Sequence, residues 1–169
     1  MANEPNEKFY VRLLFKKVLV KDVMTTRVRK LNVEDPLSKA VEMFSAHSVS
    51  HLPVVDDNNK LVGLLSHKYL YKAVSPRKFV EGELDPDPGM VIEKDSYYWK
   101  DMVNSYILRK IMFANPPSLK PEDTLSEAVL TMARHHAGCI FIINPSQEVV
   151  GSLTSSDVID YLAPILLVA

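Results

Sequence analysis

The amino-acid sequence predicts a mixed α/β (α+β) protein of two β-α-β-β-α units, packed sheet to sheet with pseudo-twofold symmetry. Three observations lead there. The chain matches itself without a gap at an offset of 88 residues, so that Val20 to Tyr71 falls on Leu108 to Ile159. Each copy carries one helix-periodic segment followed by two short apolar runs with a polar turn between them. At roughly 50–60 residues, each copy lies near the lower limit for an independent core. Burying the two sheets against each other answers that, and it leaves a cleft of the kind where ligands commonly sit.

The elements follow in order. Residues 1–19 hold Phe9, Tyr10, Leu13, Leu14 and Val18, an amphipathic stretch expected to dock as a leading helix. The first copy spans 20–75. Its helix face is Leu37, Ala40, Val41 and Phe44, entered through Asp35-Pro36. A strand from Leu52 to Val55, a turn Asp56-Asp57-Asn58-Asn59 and a strand from Leu61 to Leu65 come next. Ser66 ends that strand and a last helix begins. The second copy spans 106–165. Leu125, Ala128, Val129 and Met132 repeat the helix face, and Thr124 with Glu127 has the capping-box spacing. Strands from Cys139 to Ile143 and from Val149 to Leu153 flank the turn Asn144-Pro145-Ser146-Gln147.

The insert at 76–105 separates the copies. Glu81, Glu83, Asp85 and Asp87, interleaved with Gly82, Pro86, Pro88 and Gly89, read as an exposed acidic loop. Tyr98, Trp99, Met102, Val103, Tyr106 and Ile107 recur at helical spacing, which predicts an amphipathic helix packed on the core or on a second chain.

Composition narrows the function. The formal net charge is −1, so no basic excess argues for a nucleic-acid partner. No apolar run approaches the ~20 residues of a membrane span, and no signal region opens the chain, so a cytoplasmic protein is expected. The single cysteine, Cys139, excludes an internal disulfide. His47 and His135 fall at equivalent helix ends, and His135-His136 point apart, so no metal site is expected. No Walker loop, G-x-G-x-x-G or G-x-S-x-G is present, and Cys139 lacks an evident activating base, so no catalytic residue is expected.

The ordered set Val23-Met24-Thr25, helix, His51-Leu52-Pro53-Val54-Val55-Asp56 and Leu61-Val62-Gly63-Leu64-Leu65-Ser66 resembles a CBS domain, the module named after cystathionine beta-synthase. The second copy resembles another, and the two together resemble the tandem called a Bateman module. The resemblance implies a regulatory ligand-binding module with no catalysis of its own. Such modules bind adenosine-containing ligands in the cleft between two CBS domains, among them AMP, ADP, ATP and S-adenosylmethionine. It also implies a homodimer and a regulated protein partner. Two other readings are a protein-interaction scaffold with a vacant cleft, and the regulatory fragment of a larger enzyme or transporter.

The resemblance also suggests where a nucleotide sits. The family's ribose signature is Ser or Thr at the end of the second strand, followed three residues later by Asp. The second copy keeps it as Thr154-Ser155-Ser156-Asp157. An ionised carboxylate offers acceptors to ribose hydroxyls, and the hydroxyls and amides at a helix start suit a phosphate. Gly138, Cys139 and Ile140 match the stretch beside the adenine, although Phe141 replaces the usual Pro. Asn115, Pro116 and Pro117 lie where relatives offer backbone groups to the base. The plain alternative for Thr154 and Asp157 is a helix cap. The first copy has Tyr69 in place of the Asp, so its half-site is expected to be degraded. In a relative with an Asp-less copy the equivalent lysine reaches a phosphate held elsewhere. By that resemblance Lys68 is a phosphate candidate, and so is His51.

Overall fold

The computed structural model describes residues 7–47, 49–68, 70, 77–78, 90–93, 96–99 and 108–167. In chain order the first elements are α1 (Glu7–Lys17), β1 (Leu31–Asn32), α2 (Leu37–His47), β2 (His51–Val55), β3 (Leu61–Ser66) and β4 (Arg77–Lys78). There follow β5 (Met90–Glu93), β6 (Ser96–Trp99), α3 (Leu108–Ile111), β7 (Phe113–Ala114) and β8 (Ser118–Leu119). The chain ends with α4 (Leu125–His135), β9 (Cys139–Ile143), β10 (Val149–Thr154) and α5 (Ser155–Leu167). The mixed α/β class and the β-α-β-β pattern of each copy are as the repeat predicts.

The chain divides into two compact units whose boundaries are not those of the sequence repeat. Unit 1 is Met1–Val28 with Pro116–Ala169, and unit 2 is Arg29–Asn115. Each unit therefore takes its entry segment from the other copy. Repeat-equivalent contacts show the exchange. Met24 of the first copy packs on Gly151 of the second, while Met112 of the second packs on Gly63 of the first.

Unit 2 holds the sheet β1-β2-β3-β7, with β1 parallel to β2 and the other pairs antiparallel. Leu37, Ala40 and Phe44 are buried on α2 and join Leu31, Leu52, Val54 and Leu65 in one core. Three of the four residues that predicted this helix face are thus buried, and Val41 packs at its edge. The strand-to-helix corner is tied by Asp35, whose carboxylate accepts the Asn32 N–H at 2.8 Å.

Unit 1 holds the sheet β10-β9-β8. All five residues of β9 are buried, as a central strand with both faces covered requires. Ile140 and Ile142 join Leu125, Ala128, Met132 and Leu153 in the second core. The predicted capping box forms on α4. Thr124 accepts the Glu127 N–H at 3.2 Å, and the Glu127 carboxylate accepts the Thr124 N–H at 2.8 Å. Leu14 and Phe15 of α1 pack against this core, with Val18 and Val20 buried after them. The corner device of unit 2 recurs here, with Asp123 accepting the Lys120 N–H at 2.7 Å.

The insert departs from expectation. Ser96–Trp99 is not the first turn of a helix but strand β6, paired antiparallel with β5 on one side and β4 on the other. Tyr97-Tyr98-Trp99 and Val91-Ile92 favour extended backbone, and a hairpin partner close by in the chain outweighs the helical spacing. Met102, Val103, Tyr106, Ile107 and the acidic loop from Glu81 to Asp87 lie outside the described residues.

The two hairpin turns share one backbone solution. Asn59 and its equivalent Gln147 adopt left-handed backbone, at φ 61° and 69°. Asn occupies that region at less cost than Gln, because its short side chain can hydrogen-bond locally. Gln147→Gly is expected to raise stability by about 0.5–1 kcal/mol, net of the extra chain entropy of glycine. The same change at Asn59 should do less. Urea unfolding of both variants tests the contrast.

Candidate functional site

The site builds from the end of β10. Thr154 pairs across the sheet with Cys139, which places Gly138 beside the turn into α5. The Gly138 carbonyl accepts the Ser155 N–H at 3.1 Å and holds that turn. Asp157, one turn into α5, closes a reciprocal cap. Its Oδ2 accepts the Thr154 N–H at 2.7 Å and the Thr154 hydroxyl at 2.6 Å. Thr154 Oγ1 in turn accepts the Asp157 N–H at 3.2 Å. The helix-cap arrangement is therefore present, and it occupies one carboxylate oxygen.

Among the described residues, the other oxygen, Oδ1, accepts only a long bond of 3.5 Å, from the Thr25 hydroxyl. It is the oxygen with capacity left for a ligand. Thr25 is held in place by its backbone, which exchanges two 2.9 Å hydrogen bonds with Ser152 on β10. Repeat reasoning missed Thr25. The offset aligns it with Phe113, a residue without a hydroxyl, so Thr25 stood in the sequence pattern Val23-Met24-Thr25 but not among the expected site residues. Only the exchange of entry segments brings it to Asp157.

The other expected residues divide into groups. Gly138, Thr154, Ser156 and Asp157 gather at the β10–α5 junction, with Gly138 and Ser156 exposed. Cys139 and Ile140 lie in the sheet, 4% and 0% exposed. Their side chains belong to the core, so they offer a ligand backbone atoms only. Burial, with the Asp157 charge second, pushes the Cys139 thiol up to about 12, so it is not a thiolate at neutral pH. Pro116 and Pro117 lie in unit 1 ahead of β8, whereas Asn115 belongs to unit 2 and gives its N–H to the Val62 carbonyl at 3.2 Å.

His51 and Lys68 come together in unit 2. His51 pairs with Ser66 across β2 and β3, and the Ser66 hydroxyl accepts the Lys68 N–H at 3.3 Å. Lys68 is exposed and His51 half-buried. Burial, and then the Lys68 charge, hold His51 below the ordinary histidine value of 6.5. Tyr69 lies outside the described residues. Between the folded pKa and 6.5 the unfolded chain binds the proton that the folded chain refuses. The stability that His51 allows is complete above 6.5 and falls as the solution is acidified through that window. The midpoint of thermal unfolding is expected to drop as pH is lowered from about 7 into this window, and His51→Gln should flatten the drop.

Among the described residues, no three His, Cys, Asp or Glu side chains converge as a metal-binding set, and no helix is long and apolar enough to cross a membrane.

Comparison with known proteins agrees with this architecture. The family model for the CBS domain matches twice, at residues 20–76 and 108–164. A CBS domain-containing protein of Dictyostelium discoideum is 26% identical over 150 residues, covering 89% of this chain and 94% of its own. The inosine-5′-monophosphate dehydrogenase of Methanocaldococcus jannaschii is 30% identical over 98 residues, which cover 58% of this chain and 17% of the enzyme. Among solved structures, a CBS domain pair in complex with 5′-methylthioadenosine and S-adenosyl-L-methionine superposes with a TM-score of 0.66 at 18% identity, covering 88% of this chain and 98% of the other. CBSX2 in complex with AMP superposes with the same score at 21% identity and the same coverages. The double match, spaced as the internal repeat is spaced, means that this chain belongs to the CBS domain family and carries two such domains in tandem.

Proposed function

We propose that the chain is a regulatory module that senses an adenosine-containing nucleotide of the AMP, ADP or ATP kind and has no catalysis of its own. The observation that carries this reading is the Thr25, Thr154 and Asp157 constellation of unit 1. It presents one carboxylate oxygen, fixed by the cap and free to accept a ribose hydroxyl. Gly138 and the exposed Ser156 border it, and the start of α5 suits a phosphate. CBS pairs crystallised with AMP and with S-adenosyl-L-methionine support the ligand class. The protein acts in the cytoplasm, as a homodimer, on a partner whose activity the ligand controls.

Isothermal titration with AMP, ADP and ATP tests the reading. One site per chain is expected, because the first copy lacks the carboxylate at Tyr69. Two equal sites per chain would contradict it. The scaffold reading has one observation in its favour, that the cap at Asp157 is complete without a ligand. It predicts no change in thermal unfolding with any adenine nucleotide.

A further inference from the structure

Each entry segment seats a methionine on a glycine of a sheet strand, and the two seats differ. In unit 1 Met24, half-buried at the edge of the core, rests on Gly151 of β10. Its Sδ lies 2.6 Å and its Cγ 3.3 Å from the point a Cβ on Gly151 would occupy, so the thioether fills the space the glycine leaves. The Thr25 carbonyl oxygen stands 3.2 Å from the same point, so sulfur and backbone share one niche. In unit 2 Met112, also half-buried, rests on Gly63 of β3, and the three nearest atoms there are all its own side chain. The N–H groups around Met24 are already engaged. Thr25 and Ser152 each donate to the other's carbonyl at 2.9 Å, and the Met24 N–H goes to the Val20 carbonyl at 2.9 Å. A polar atom added to this sulfur meets a carbonyl oxygen and finds none of these three donors open to it.

We propose that Met24 is a site of reversible oxidation, where hydrogen peroxide converts the thioether to the sulfoxide and thereby disables the Thr25 and Asp157 site. Its effect on ligand binding rests on the proposed nucleotide function. A lone pair of Sδ attacks one peroxide oxygen and the O–O bond breaks. That oxygen stays on the sulfur, which is oxidised by two electrons, and the other leaves as water with both protons. Reduction by a methionine sulfoxide reductase and a dithiol reverses the step, with the oxygen leaving as water and the dithiol becoming a disulfide. The sulfoxide is polar, and it adds an atom where a methyl group on Gly151 already does not fit. Met24 therefore leaves its seat. The next residue is Thr25, whose backbone bonds to Ser152 hold its hydroxyl 3.5 Å from Asp157 Oδ1. Oxidation of Met112 disturbs only Phe113, which has no hydroxyl, in the copy that carries Tyr69 in place of the aspartate. Cys139 is 4% exposed and does not compete for the oxidant.

Peptide mass spectrometry of the full chain under hydrogen peroxide, with amide deuterium exchange and AMP titration of the product, tests this. Met24 is expected to gain one oxygen. Exchange in the segments holding Thr25 and Ser152 should then quicken by about 10-fold or more. Affinity for AMP should fall by about 3- to 10-fold, the loss of one hydrogen-bonded contact. Sulfoxide reductases with dithiothreitol should restore both. In Met24→Leu, peroxide should leave the affinity of that variant where it started, whereas in Met112→Leu affinity should still fall. Met24→Gln, which carries a polar group on a chain of similar length, should reproduce the loss without oxidant. A Met24 thioether that persists after the half-buried Met43 and Met112 have reacted overturns the site. Unchanged exchange at Thr25 and Ser152 in chains oxidised at Met24, or an equal peroxide-induced loss in Met24→Leu, overturns the coupling to Thr25. A chain that binds no AMP in either state, yet loosens at Thr25 and Ser152 on oxidation, overturns the nucleotide reading and upholds the oxidation site.

Discussion

Asp157→Ala is expected to reduce affinity for AMP by about 10- to 100-fold, the loss of a hydrogen bond to an ionised acceptor at ~1.5–3 kcal/mol. Only Oδ1 has capacity for a ligand, because Oδ2 accepts two short bonds from Thr154. The same change removes the reciprocal cap at the start of α5 and should cost about 1 kcal/mol of stability. The two effects separate through the ligand. A 2′,3′-dideoxy analogue of AMP lacks the hydroxyls, so the unaltered protein should bind it about as weakly as Asp157→Ala binds AMP. Combining the variant with the analogue should add no further loss, because both remove the same contact. Titration calorimetry at constant salt reads all four corners. Unchanged affinity in Asp157→Ala would remove the carboxylate from the site and leave its role as a cap. Additive losses would place the ribose elsewhere.

Gly151→Ala should destabilise the protein by about 1–3 kcal/mol, the cost of overpacking a fitted contact. A methyl group there would stand 2.6 Å from Met24 Sδ and 3.2 Å from the Thr25 carbonyl oxygen. The sulfur lies on a flexible side chain, but the carbonyl is backbone and accepts the Ser152 N–H at 2.9 Å. Relief therefore moves Thr25 itself, and Thr25 faces Asp157. Nucleotide affinity should fall along with stability. Gly63→Ala is the internal control. Its contacts are all side-chain atoms of Met112, so the sulfur can swing away and the cost should be smaller. Urea unfolding of both variants, with AMP titration of each, distinguishes the two. Equal losses would mean that the Thr25 carbonyl yields as easily as a methionine side chain.

Much of the fold was legible in the chain because its signals are local. Leu37, Ala40 and Phe44, and Leu125, Ala128 and Met132, announced their helices by spacing and are buried as that spacing requires. Thr124 and Glu127 announced a cap that forms. Tyr98 and Trp99 misled, because a short aromatic run carries helical spacing and strand propensity together, and pairing with Met90–Glu93 decided between them. At the candidate site, Thr154 and Asp157 were legible from their spacing. Cys139 and Ile140 were legible as a short apolar strand and are buried as that reading requires, so only their backbone can meet a ligand. Thr25 was not legible, because it reaches Asp157 across 132 residues of chain.

The chain alone determined the duplication, the order of elements in each copy, the caps and turns, and the loss of the carboxylate at Tyr69. Each of these is written in a window of a few residues, where backbone preference and apolar period suffice. Tertiary structure decided which copy each entry segment serves. Met24 fits Gly63 and Gly151 equally well as a pattern, because the two copies repeat one another, and no local signal ranks the pairings. Packing of the whole chain sets Met24 on Gly151 and Met112 on Gly63. With Met24 comes Thr25, and with Thr25 comes a hydroxyl that meets Oδ1 of Asp157.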